Sequence, residues 1–170
     1  SLTHQEDFAS QYRYMSEEEA NKLFAQMVSS SDQNTYPLLN EEARKNGKPD
    51  ILIIIMESFA NDIMPSVGTH KDVAVCLDSI AKKGIFFPRF YSNTFRTDRG
   101  LVAVLSGYPA QPTTSIMRYP AKSAQLPSLA RSLAKAKHYG NAYYYGGDVD
   151  FANQRSWLVS QGYERIISDS

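Results

Sequence analysis

Glu57 and Thr97 are the residues of this chain whose types and surroundings most directly suggest chemistry. Glu57 directly follows the apolar run Ile51-Leu52-Ile53-Ile54-Ile55-Met56. A run of β-branched residues without polar alternation reads as a strand buried on both faces of a parallel sheet. Its last residue then delivers the Glu57 carboxylate to the carboxyl edge of the sheet, where open α/β folds build their sites. There it reads as a hard oxygen ligand for a divalent cation, or as a solvated acid at a strand exit. Thr97 lies in Ser92-Asn93-Thr94-Phe95-Arg96-Thr97-Asp98-Arg99-Gly100, ahead of the apolar positions Leu101, Val102, Val104 and Leu105. A hydroxyl at the start of such a helix meets free backbone N–H groups and the positive end of the helix dipole. Arg96 and Arg99 add donors that match phosphate-like oxygens. Thr97 is therefore either a nucleophile activated by a metal or an ordinary helix cap, with Thr94 as the rival nucleophile.

A third cluster, Gly146-Gly147-Asp148-Val149-Asp150 with Asn153, Arg155 and Trp157, follows the apolar-aromatic stretch Ala142 to Tyr145. Asp148 and Asp150 could bind substrate hydroxyls or a cation, or cap the next helix. Asn153, Arg155 and Trp157 read as substrate contacts, or as polar helix surface and a core anchor. His4, His70 and His138 are scattered at loops and helix ends, so no Ser/His/Asp triad assembles. Patterns G-x-x-x-x-G-K-[ST], G-x-G-x-x-G, H-E-x-x-H and G-x-S-x-G do not occur, which removes P-loop, dinucleotide, zincin and serine-hydrolase readings.

The elements that must position these residues follow from punctuation and periodicity. Ser16 and Glu19 form a capping-box pattern that predicts a helix over 16–28, and the turn formers of 29–48 read as a linker. Beyond the strand at 51–56, the sequence predicts a helix over 72–83 with Asp72 at its cap and a strand over 85–91 interrupted by Pro88. A short helix begins at 97, a Pro/Ser-rich loop covers 110–127, and a helix covers 128–137. A strand at 142–145 and a helix over 151–161 complete the order. The fold class expected is α/β, a layered sandwich with a mostly parallel sheet flanked by helices.

Composition sets the outer bounds. The 170 residues balance 18 basic against 18 acidic groups, which disfavours a nucleic-acid binder. Residues 1–50 are net acidic and residues 51–170 net basic, so the second part suits an anionic substrate. Cys76 is the one cysteine, excluding an intrachain disulfide, a redox pair and a cysteine-rich zinc site. A chain of this length buries roughly two thirds of its unfolded surface and needs no such staple. The longest apolar run is far short of the ~20 residues that span a bilayer. The start at Ser1 and the end at Asp169-Ser170 raise the expectation that this is a piece of a larger protein.

Taken in order, Ile53 to Phe59, Asn93 to Leu101, Leu105 to Pro109, Tyr144 to Asp148 and Gly162-Tyr163 resemble the sulfatase-like branch of the alkaline phosphatase superfamily. Within it the chain is similar to the lipoteichoic acid synthase and phosphoglycerol transferase group of bacterial membrane enzymes. The likeness covers residues 49–170, the N-terminal half of a catalytic domain, with 1–48 as the segment that joins it to membrane helices. The resemblance implies that Glu57 and Thr97 share one divalent metal, usually manganese, with magnesium or zinc as alternatives. It implies Thr97 as the nucleophile, and Arg96, Arg99, Asp148, Asn153 and Arg155 as contacts to an anionic ester such as a phospholipid head group. It places the parent protein on the outer face of a bacterial cytoplasmic membrane, with no nucleic-acid partner. The Asp-His pair that completes the family's metal site is absent from the sequence, so the piece alone is expected to be inactive. Where the family often reads Phe-Trp-Asn-Arg, this chain has Phe151-Ala152-Asn153-Gln154. Cys76 lies in no C-x-P-x-R motif, and Thr97 at the nucleophile position favours phosphoryl over sulfuryl transfer, with sulfate ester hydrolysis, or a non-catalytic binding domain that retains the fold, as the alternatives.

Overall fold

A computed structural model of the chain describes residues 10, 13–28, 47, 49–137 and 139–169. They fall into two units, Ser1–Asp50 and Ile51–Ser170. In the first unit, helix α1 spans Glu17–Val28. It starts as the capping box predicts: the Glu19 N–H donates to Ser16 Oγ at 3.2 Å, and the Ser16 N–H donates to Glu19 Oε2 at 3.1 Å. The N–H and hydroxyl of Ser16 hold the Glu19 carboxyl below its ordinary value. The linker expected over 29–48 lies almost wholly outside the described residues, as do His4 and His138.

In the second unit the sheet is a parallel pair, β1 (Ala142–Tyr144) and β2 (Arg165–Ile167), in the register Ala142 with Arg165, Tyr143 with Ile166 and Tyr144 with Ile167. Parallel pairing requires a crossover, which is supplied by a 3-10 turn at Phe151–Asn153 and helix α6, Gln154–Ser160. The other helices are α2 (Val75–Ala81), α3 (Thr97–Ser106), α4 (Pro120–Ser123) and α5 (Leu129–Lys137). Helices with a parallel sheet make the chain α/β. No helix among the described residues is long and apolar enough to cross a membrane.

Two of the expected strands do not form. Residues 51–56 are neither helix nor strand, and all six side chains are exposed, Leu52 to 83%. Burying a strand on both faces takes ladder partners at its edges and helices over its faces. Among the described residues β1 and β2 pair only with each other, so nothing offers this run a ladder. The stretch 85–91 likewise stays irregular, with a turn at Pro88-Arg89, because proline has no N–H for a ladder and fixes its own φ. The helix expected from Asp72 begins three residues later, at Val75. The Ala74 N–H is tied back to the Ile63 carbonyl at 3.1 Å, which holds residues 72–74 out of helical geometry. The helix expected over 151–161 breaks at Ala152 and Asn153, whose φ angles are +57° and +62°. Strand β2, the 3-10 turn at Ile116–Arg118 and α4 were not anticipated. Pro120 at the first position of α4 was the signal for it.

The core gathers Leu101, Val102 and Leu105 of α3, Ile116, Met117, Val149, and Trp157 and Leu158 of α6. Leu101 and Leu105 are one helical turn apart, so α3 turns one stripe inward. Tyr143 and Tyr163 pack edge to face against this cluster with centroids 5.6 Å apart. Burial there pushes the Tyr143 hydroxyl up to about 12.

Candidate active site

Thr97 is the first residue of α3, preceded by Arg96 in extended conformation as the cap. The helix starts through the Arg96 carbonyl, which accepts from the Gly100 N–H at 2.9 Å. The Arg99 N–H donates to the same carbonyl at 3.2 Å, which leaves the N–H groups of Thr97 and Asp98 without a carbonyl partner in the helix. The buried stripe fixes the helix axis. At its far end Ser106 Oγ donates to Gln161 Oε1 at 3.2 Å. Thr97 is thus attached to a braced element.

Glu57 reaches this point from 40 residues earlier in the chain. The Thr97 hydroxyl donates to Glu57 Oε1 at 2.8 Å. Thr94 has a different role: its N–H donates to Ser92 Oγ at 3.3 Å, and its hydroxyl oxygen accepts from the Arg96 N–H at 3.2 Å. These bonds shape the loop that leads into α3. Arg96 is exposed, with its Nε 3.9 Å from Asp98 Oδ1. Asp98, nearly buried in the first turn, was not singled out from sequence. An acid in that turn is the expected complement to the helix dipole.

Of the remaining expected contacts, Arg99, Asp148 and Arg155 make hydrogen bonds within the domain. Arg99 Nη1 donates to the carbonyls of Gln111 (3.1 Å) and Pro112 (2.6 Å), so its guanidinium ties α3 to the following loop. Arg155 donates to Asp150 through Nε at 2.7 Å and Nη2 at 3.1 Å. This pairing holds the Asp150 carboxyl below and the Arg155 guanidinium above their ordinary values. Asp148 Oδ1 accepts the Asp150 N–H at 2.8 Å, which closes the turn after β1. Asn153 is exposed at the cap of α6. Among the described residues no hydrogen bond or ion pair joins the cluster of Asp148, Asp150, Asn153 and Arg155 to Glu57 or Thr97. Trp157 is a core residue, 2% exposed.

The family described as Sulfatase matches residues 49–170. The chain belongs to the sulfatase family. No curated protein and no solved structure matches it. As a sulfatase-family domain it stands among the alkaline phosphatase-like hydrolases and transferases, which generally depend on a divalent metal. Glu57 and Thr97 fit such a metal as donors: a carboxylate and a hydroxyl are hard oxygens, and a 2.8 Å separation lets both face one cation. They are two donors of a larger set. Among the described residues no group of three or more His, Cys, Asp or Glu side chains could hold a metal.

One feature of the site had no sequence signal. Ser58, next to Glu57, has φ +54°, a left-handed conformation that serine seldom adopts and that no residue pattern around it announces.

Proposed function

We propose that this sulfatase-family domain belongs to a metal-dependent phosphotransferase of the phosphoglycerol transferase type, with Thr97 as nucleophile. The observation that carries the reading is the 2.8 Å hydrogen bond from Thr97 to Glu57, at a helix start with an exposed arginine beside it. Thr97 Oγ1 attacks the phosphorus of a phospholipid head group. The bond to the lipid alcohol breaks as a phosphothreonine ester forms, and the Thr97 proton leaves with the departing alcohol. An acceptor hydroxyl of an envelope glycan or polymer then attacks the same phosphorus and restores Thr97. The exposed Arg96 guanidinium and the first N–H groups of α3 stabilise the charge that develops on the equatorial oxygens.

The Glu57 carboxylate accepts the Thr97 hydroxyl at 2.8 Å and so orients it for attack. A divalent cation, manganese in this reading with magnesium or zinc as alternatives, would be held by Glu57 and Thr97 and would lower the hydroxyl's pKa. We further propose that its other ligands come from beyond these residues. The resemblance to phosphoglycerol transferases supports a parent protein anchored in a bacterial cytoplasmic membrane with this domain on its outer face.

The test is single-turnover labelling of the full-length protein with a phosphatidylglycerol analogue and Mn2+, followed by mass spectrometry. Phosphate on Thr97 is expected. A folded, metal-loaded protein with no labelled threonine refutes the proposal and favours sulfate ester hydrolysis, the reading that the family's description suggests.

A further inference from the structure

Thr97 and Glu57 are held with very different firmness. Thr97 is anchored by a ten-residue helix whose inner face lies in the core, so the 2.8 Å contact is decided on the Glu57 side. The chain that enters Glu57, residues 51–56, is exposed and has no ladder to hold it. The chain that leaves it is tightly held. The Ile63 N–H donates to the Ala60 carbonyl at 3.3 Å, opening the 3-10 turn Asn61–Ile63. Asp62 Oδ1 accepts both the N–H of Thr69 at 2.9 Å and its hydroxyl at 2.7 Å. Lys71 Nζ donates to the carbonyls of Pro65 and Gly68 at 2.8 and 2.7 Å. Ser58 joins the free segment to the fastened one, and at that joint the backbone takes φ +54°.

A non-glycine residue at positive φ is uncommon, a few per cent of cases, and such residues concentrate where the surroundings hold a functional geometry in place. No hydrogen bond of the Ser58 side chain among the described residues accounts for its conformation. We infer that Ser58 is a positioning residue: its left-handed turn reverses the chain between the anchored 60–71 loop and Glu57, and so aims the carboxylate at Thr97. This rests on the reading of Glu57 and Thr97 as the reacting pair. It assigns Ser58 a role through its backbone, not its hydroxyl.

The role separates two substitutions. Ser58→Gly keeps access to positive φ at no steric cost, whereas Ser58→Val places a β-branched side chain where that conformation is a strong outlier. The measurement is a double-mutant cycle of Glu57→Ala and Thr97→Val, read by urea unfolding of the 170-residue chain and run in the parent, Ser58→Gly and Ser58→Val backgrounds. The parent is expected to show coupling of about threefold or more in the unfolding constant, as for an exposed charge-assisted hydrogen bond. Ser58→Gly should retain that coupling and Ser58→Val should lose it. Equal coupling in the valine background, loss of coupling in the glycine background, or no coupling in the parent overturns the inference. A Mn2+ titration of the full-length protein, followed by water-proton relaxation, tests the functional reading separately. Coupling that depends on Ser58 in the 170-residue chain without any Mn2+ binding by the full-length protein would leave the positioning role standing and remove the metal-assisted mechanism.

Discussion

Gln161 is the buried polar hub that holds the helix bearing Thr97 to the rest of the domain, and replacing it with leucine should destabilise the fold measurably. Its side chain is 1% exposed. Oε1 accepts from Ser106 Oγ at 3.2 Å, and Nε2 donates to the Ser123 carbonyl at 2.9 Å. Leucine has similar bulk, so Gln161→Leu removes both bonds without opening a large cavity. The Ser106 hydroxyl, itself nearly buried, then has no acceptor from this side chain, at about 1–3 kcal/mol for an unsatisfied buried group. The Ser123 carbonyl keeps the Leu126 N–H at 3.2 Å and loses only one of two donors, about 0.5–1.5 kcal/mol. The sum is roughly 1.5–4.5 kcal/mol. With a urea dependence of about 2 kcal/mol per molar for a domain of this size, the midpoint should fall by about 1–2 M with an unchanged slope. Urea unfolding followed by tryptophan fluorescence suits the measurement, since Trp157 is the one tryptophan and is in the core. Adding Ser106→Ala should recover part of the loss, because removing both polar partners is less harmful than stranding one. A midpoint shift below about 0.3 M, or strict additivity of the two substitutions, would refute the assignment of Gln161 as the hub.

Three further outcomes are expected. In the full-length protein Thr97→Ala should lower kcat by more than roughly a thousandfold, while Thr94→Ala should stay within about tenfold; comparable losses would remove Thr97 as nucleophile. Asp78 is held down to about 2 by its contact with Lys82 and then by Ser66. A carboxyl depressed in the folded state stabilises above its unfolded pKa and loses that contribution as pH falls through the folded one. The parent should therefore lose more stability between about pH 4 and pH 2 than Asp78→Asn does, and identical acid profiles would argue against the pairing. Gly162 has φ +85°, and a Cβ there would lie 2.8 Å from Arg131 Cγ, on a side chain whose Nη2 is fixed to the Leu126 carbonyl at 2.6 Å. Gly162→Ala should cost about 1–2 kcal/mol in unfolding free energy, and an unchanged thermal midpoint would show that Arg131 moves aside freely.

Local rules made much of the domain legible from sequence. The Ser16–Glu19 capping box, the start of a helix at Thr97, its end at Gly107 with φ +65° and the Ser128 cap of α5, whose Oγ accepts the Arg131 N–H at 3.2 Å, each depend on residues within one turn of each other. The α/β class was likewise readable, because the order of apolar runs and helical segments carries it. The alternatives at Arg99, Asp148 and Arg155 were not resolvable in that way. Each of these side chains has near neighbours able to satisfy it, and which one does so depends on how the backbone folds back. Arg99 turned to the carbonyls of Gln111 and Pro112, and Arg155 to Asp150.

The apolar run 51–56 marks the boundary most clearly. Its composition states that it would be stable in a buried sheet, but a strand exists only through hydrogen bonds to another segment, and no property of the run itself supplies that partner. The sequence by itself determined the starts of α1, α3 and α5, the end of α3, the α/β class and the residue types that could do chemistry. Only the tertiary structure decided that β1 pairs with β2, that Ser58 turns left-handed, and that Glu57 and Thr97, 40 residues apart, meet at 2.8 Å. The physical reason is range: caps and turns are settled by neighbours along the chain, whereas ladders and sites are settled by contacts whose partners the chain must first bring together.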